Sequence, residues 1–238
     1  VHEKYVNPNI LHRFYELVWR WFSTKTIFVS KYLQKQYFKR NMNSVVVYNA
    51  LSDDFLNNVK VKEHRCKPYN ILMICSLKHY KGVHIFVELA KRLPQYRFTL
   101  IVNGSQDDTT AFFSNISTNL TIYPAQKRVF DFLYQADLLL NLSIPSLWIE
   151  TFGLTLLEAM SYGVPVISPP AGGPVELVEN DYNGFLVDSR DIEAVIEKII
   201  YICESGEYER LSKNAKSKSL LFDRVDMINK IEAQIKEI

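Results

Sequence analysis

Short apolar runs alternate along the chain with longer stretches whose apolar residues recur at helical spacing. The runs are Thr26 to Val29, Val45 to Tyr48, Tyr69 to Cys75, Phe98 to Val102, Leu120 to Tyr123, Ala136 to Leu142, Gly163 to Ser168 and Phe185 to Val187. They are apolar nearly throughout rather than at every second position, as expected of strands covered on both faces of a parallel sheet. Helical patterns fall between them over residues 9–22, after Ser30, and from Val83 to Leu93 (closed by Pro94), Lys127 to Gln135 and Leu154 to Tyr162. Ser30 is expected to cap the helix that begins with Lys31, and Asp188 or Ser189 to cap a helix running to Glu204. Two more helices are expected over 207–220 and 223–237, and 105–119 is polar and turn-rich. This alternation predicts an α/β fold built on a doubly wound parallel sheet.

The stretch 143–179 organises the rest. Glu150 falls in the loop between a strand-like run and a helix, and Glu158 about one turn inside that helix. A helix N-terminus leaves amides unpaired and carries partial positive charge, so the N–H groups near Gly153 and Leu154 form a seat for phosphate. Gly153 allows a ligand to approach the backbone closely. Carboxylates repel phosphate but accept hydrogen bonds well, so two glutamates flanking that seat suit the hydroxyls of a nucleotide-sugar. Thr155 and Glu158 also have the spacing of a capping box, a purely structural reading that spacing alone leaves open. Further on, Gly172 and Gly173 precede Pro174, which suits a first helical position. Two successive strand-to-helix turns with glycine at the join line the sheet edge where open α/β sheets bind ligands. Lys81, in the loop Ser76-Leu77-Lys78-His79-Tyr80-Lys81-Gly82, reaches the same edge.

Glu150, seven residues, then Glu158 form an ordered set with Phe152-Gly153-Leu154 between them, followed by Ala159-Met160, Gly163-Val164-Pro165-Val166-Ile167 and Gly172-Gly173-x-x-Glu176. This set resembles the donor-binding half of glycosyltransferase family 4 enzymes. The resemblance implies a GT-B type fold with Rossmann-like sheets. It also implies retaining, metal-independent transfer of a sugar from a nucleoside-diphosphate sugar to a glycan or lipid-linked acceptor. The donor-binding unit would span 69–222, preceded by the end of an acceptor-side domain (1–58) and a charged linker (59–68), and followed by a C-terminal helix (223–238).

By the same carry-over, Glu158 holds ribose hydroxyls, Glu150 lies near the transferred sugar or its phosphate, and the Pro124-Ala125-Gln126 loop borders the base. Phe152, Gly153, Leu154, Thr155, Gly172 and Gly173 complete the donor side. In the family, Gly-Arg-Leu followed by Lys-Gly supplies two cations to the diphosphate. Lys81-Gly82 keeps one of them, but Ser76 stands at the arginine position and leaves Lys78 as the candidate replacement. An ammonium cannot copy the bidentate grip of a guanidinium. His2 stands near where the family places a histidine facing the donor sugar.

Composition adds bounds. With 238 residues, 47% hydrophobic and 23% charged, the chain is globular but short for a complete two-domain enzyme of this kind. A net charge of +2 gives no support for a nucleic-acid partner. Cys66, Cys75 and Cys203 are scattered and odd in number, which reads as reduced thiols of a cytoplasmic protein. No Asp-x-Asp motif or Cys/His cluster calls for a metal, and no cofactor is expected. No apolar run approaches the ~20 residues that span a bilayer. Residues 9–22 place Ile10, Phe14, Leu17, Val18 and Trp21 near one face among Arg13, Glu16 and Arg20. That pattern suits peripheral docking on an anionic membrane or, as favoured here, burial against the rest of a domain. His79 and His84 read as surface residues. A start at Val1 fits a fragment, which keeps open a nucleotide-sugar-binding module without catalysis; a nucleotide-sugar epimerase of the same architecture is a separate alternative.

Overall fold

The computed structural model describes residues 14, 21–37, 43–60, 62, 65–105, 107, 109, 112–113 and 116–236. His2 and most of the helix expected over 9–22 lie outside the described residues. Eight strands are described: β1 (Thr26–Phe28), β2 (Ser44–Val46), β3 (Asn70–Ser76), β4 (Arg97–Asn103), β5 (Leu120–Tyr123), β6 (Leu138–Leu140), β7 (Val166–Ser168) and β8 (Gly184–Leu186). They fall where the apolar runs place them.

β1 and β2 pair in parallel, and the other six form one parallel sheet in the order β5-β4-β3-β6-β7-β8. The chain winds outward from β3 through β4 to β5, then returns to the other side of β3 and winds out through β6, β7 and β8. This is the expected doubly wound α/β architecture, with its reversal point between β3 and β6.

Side-chain alternation explains why the strands are apolar throughout. Ile71, Met73, Phe98, Leu100, Leu138 and Leu140 enter one apolar cluster, while Leu72, Ile101 and Leu139 enter another on the opposite face. The first face is covered by α3 (Val83–Arg92) through Val83, Phe86 and Leu89, and by α7 (Ile192–Glu204) through Val195, Ile199 and Ile202. The second is covered by α4 (Phe130–Gln135) through Leu133, and by α5 (Leu154–Ser161) through Leu156, Leu157 and Met160.

The short β1–β2 sheet carries α1 (Lys31–Tyr37) and is followed by α2 (Asp53–Asn57). Ser30 caps α1 as expected, its Oγ accepting from the Leu33 N–H at 3.2 Å. Phe28, Leu33 and Phe55 join the cluster beneath α5. Glu176, on α6 (Pro174–Leu177), accepts from the N–H of Lys31 and Tyr32 (3.1 and 2.9 Å) and from the Tyr48 hydroxyl (2.8 Å). α8 (Tyr208–Ser219) packs on α5, and α9 (Arg224–Lys236) begins with Arg224 paired to Asp53. Among the described residues no helix is long and apolar enough to cross a membrane.

One local expectation changes. The residue that caps α7 is Asp191, whose carboxylate accepts from the Ala194 N–H at 3.0 Å. Asp188 instead binds Arg190, and the Ser189 hydroxyl donates to Ser143 O. The charged segment before β3 is tied to the domain by ion pairs. Lys62 and Arg65 approach Asp137 at 2.8 and 3.3 Å, and the other oxygen of that buried carboxylate accepts from the Asn70 N–H at 2.8 Å. Removing the carboxylate would leave Arg65 and the first amide of β3 without this acceptor, while Lys62 keeps Gln135 O at 3.1 Å. Asp137→Ala is therefore expected to cost about 3 kcal/mol in urea denaturation. A loss below about 1 kcal/mol would show that the network contributes little.

Candidate functional site

The reversal point leaves a crevice beyond the carboxyl ends of β3 and β6, because the chains leaving these strands turn to opposite sides. An open cleft of ≈ 260 Å³ occupies it. β3 supplies Met73, Ile74, Cys75 and Ser76; Leu140, Asn141 and Ser143 come from the end of β6; Lys81, Glu150, Leu154 and Thr155 come from loops and from the first turn of α5.

Close backbone approaches bring these loops together. Gly82 has φ 76°, and a Cβ there would lie 2.1 Å from Leu142 O, so the Lys81 loop rests directly on the chain leaving β6. The Ile144 N–H donates to Tyr80 O at 2.8 Å and fixes the same contact. Lys81 Nζ then reaches Glu150 Oε2 at 2.8 Å across 69 positions of sequence, with both side chains largely shielded from solvent.

α5 begins with Gly153 at φ 102° and no side-chain cap. The N–H groups of Leu156 and Leu157 both reach Gly153 O, at 3.0 and 3.2 Å. Helix geometry leaves the earlier amides of Leu154 and Thr155 without intrahelical acceptors, at the positive end of the helix dipole. Thr155 and Glu158 do not form a capping box: Thr155 lies inside the first turn and lines the cleft. One cation, one carboxylate and a helix start thus converge on one hollow, a geometry suited to a phosphorylated ligand that also carries hydroxyls.

A protein-family model described as glycosyl transferases group 1 matches residues 54–218, more than half of the chain. The chain belongs to this family.

An uncharacterized glycosyltransferase of Methanocaldococcus jannaschii is 29% identical to this family member over 84% of its chain and 56% of the relative. A UDP-Gal:alpha-D-GlcNAc-diphosphoundecaprenol alpha-1,3-galactosyltransferase of Escherichia coli is 34% identical over 37% of the chain and 23% of that enzyme. The chain therefore spans little more than half the length of the first and about a quarter of the second. Among solved structures, Anabaena Alr3699/HepE in complex with UDP-glucose superposes with TM-score 0.81 at 22% identity, over 97% of this chain and 68% of that one. At this identity the likeness establishes the fold, that of the GT-B glycosyltransferases.

Ser76, Lys81, Glu150, Leu154 and Thr155 share the cleft, and the other expected site residues that are described do not line it. Phe152 is buried between Tyr48 and Phe222. Gly172 and Gly173 are buried beneath the site: a Cβ on either would lie 2.1 Å from Glu150 O or 2.3 Å from Thr151 O, and the Gly173 N–H donates to Glu150 O at 2.9 Å. They set the height of the Glu150 loop. Gly153 packs below the helix start, against Leu156 and Leu177. Lys78 and Ala125 are exposed. His79 and His84 are exposed and stack on each other, centroids 4.2 Å apart.

Asn141 and Ser143, which sequence reasoning passed over, lie at the carboxyl end of β6 beside β3. Their position one and three residues past that strand was the available signal. Burial pushes the Cys75 thiol up to about 12, against a downward pull from Lys81, so it serves as wall rather than nucleophile.

Glu158 is half-buried on α5 outside the cleft lining, and burial pushes its carboxyl up to about 7. A carboxyl whose folded pKa is raised contributes stability that is fully present below its ordinary value and lost as pH rises through about 7. Glu158→Gln should therefore gain on the wild type by several degrees of Tm between pH 5 and pH 8. A difference that stays constant across that range in thermal melts would place Glu158 in solvent.

Proposed function

We propose that this glycosyltransferase moves a sugar from a nucleoside-diphosphate sugar to a glycan or lipid-linked acceptor, with retention at the anomeric carbon and without a bound metal. The Lys81–Glu150 pair set against the start of α5 at the β3/β6 reversal is the observation that carries this reading. The Anabaena relative in structure is a UDP-glucose complex, and the Escherichia coli relative is named for UDP-Gal, which makes uridine diphosphosugars the first donors to try.

In this reading the diphosphate lies across the amides of Leu154 and Thr155, and Lys81 turns from Glu150 toward it. Glu150, released from the ammonium, accepts hydrogen bonds from hydroxyls of the transferred sugar. Negative charge grows on the leaving diphosphate as the glycosidic bond breaks, and Lys81 with the helix amides stabilises it where water is scarce. Glu158, one turn further along α5 and outside the cleft lining, holds the ribose where the nucleoside extends beyond the cleft. A carboxyl that is half protonated near neutrality in the empty protein becomes a better acceptor on losing its proton, so nucleotide binding should strengthen from pH 6 to pH 8.

The reading is tested by thermal shift against nucleoside diphosphates and their sugars, followed by product analysis by NMR. A UDP-sugar should raise Tm, Glu158→Ala should remove most of that rise, and Lys81→Met should lower kcat about 10²–10³-fold. Activity should survive EDTA, and the product should keep the anomeric configuration of the donor. No shift with any nucleoside diphosphate at millimolar concentration, or an inverted product, would overturn it.

A further inference from the structure

Among the described residues lining the cleft, Lys81 is the only cation, since Ser76 stands at the end of β3. Its placement therefore decides how well the site meets a diphosphate. A lysine carries four rotatable bonds, and one ion pair leaves much of that freedom in place. The neighbourhood holds a second restraint. The Trp148 ring stacks on Tyr80, with centroids 5.2 Å apart and planes 22° from parallel, and the ring centroid is 5.3 Å from Lys81 Nζ. That distance is within cation–π range.

The backbone closes the same circuit. The Ile144 N–H donates to Tyr80 O at 2.8 Å, and the Trp148 N–H donates to Ile144 O at 2.9 Å. Tyr80 immediately precedes Lys81, and Trp148 stands two residues before Glu150, so the aromatic pair joins both loops directly beside the ion pair. The buried Trp148 Nε1 has no hydrogen-bond partner among the described residues, so the ring acts through its face and not through its N–H.

We propose that Trp148, backed by Tyr80, is a positioning residue for Lys81: the indole face and the Glu150 carboxylate hold the ammonium over the cleft until a diphosphate takes it. This rests on the reading that the cleft accepts a nucleoside diphosphate. An ammonium already placed loses little freedom on meeting the ligand, so the gain falls on the diphosphate and not on the nucleoside.

Isothermal titration of the intact chain with UDP and with uridine tests this, using Trp148→Leu, Trp148→Phe, Lys81→Met and the Lys81→Met/Trp148→Leu double variant, with melts confirming that each is folded. Trp148→Leu should weaken UDP about tenfold and leave uridine unchanged, and Trp148→Phe, which keeps an aromatic face, should restore most of the loss. In the Lys81→Met background Trp148→Leu should cost nothing further. If Trp148→Leu leaves UDP affinity intact, weakens UDP and uridine alike, or adds its full effect to Lys81→Met, the positioning role is overturned while the donor reading stands. If the wild type binds neither UDP nor ADP nor GDP, the donor reading fails and this inference fails with it.

Discussion

The pairing of β3 with β6 is the constraint from which the site follows. These strands lie side by side although the chain visits β4 and β5 between them, so the segments leaving their carboxyl ends diverge. The divergence opens a crevice at the sheet edge, and everything chemically active in it is brought there by loops that rest on one another. Gly82 lies against Leu142 and Gly172 against Glu150, each too closely for a Cβ. A side chain at either position would lift a loop and part Lys81 from Glu150, which otherwise have no reason to meet.

The stability of this arrangement comes from the apolar faces of the sheet, and its precision comes from polar groups placed at its margins. The strands are covered on both sides by helices, so the sheet is rigid up to its edge. Asp137 anchors the amino end of β3 and the preceding segment, far from the cleft, while Glu176 ties α6 to α1 and Tyr48. The loop bearing Glu150 is seated on the two glycines that lead into α6, so the same short element fixes both the β1–β2 unit and the height of a cleft carboxylate. Packing thus reaches function through backbone contact rather than through any side chain of the site.

Much of this was legible in the sequence. The central strands were visible because burial on both faces favours a continuous apolar run. The convergence of Lys81, Glu150, Leu154 and Thr155 was legible because each lies in or at the end of a strand-to-helix connection with a glycine, Gly82 or Gly153, where the helix starts. Local choices among equivalent groups were less so. Asp188, Ser189 and Asp191 can all cap a helix, and only the packed course of α7 selects Asp191. Thr155 and Glu158 have capping-box spacing, but the helix starts at Leu154, two residues too early for Thr155 to stand at its N-cap. Trp148 could not be singled out, because its significance depends on Tyr80, which lies on a distant loop and is met only after folding.

The central claim is that this one crevice grips a diphosphate through Lys81 and the first amides of α5. A crystal structure of the protein with UDP measures it most directly. The account predicts phosphate oxygens within hydrogen-bond reach of Lys81 Nζ and of the Leu154 and Thr155 N–H groups, with Glu150 no longer bound to the lysine. Diphosphate density at another edge of the sheet, with the Lys81–Glu150 pair intact and the crevice filled only by water, would contradict it.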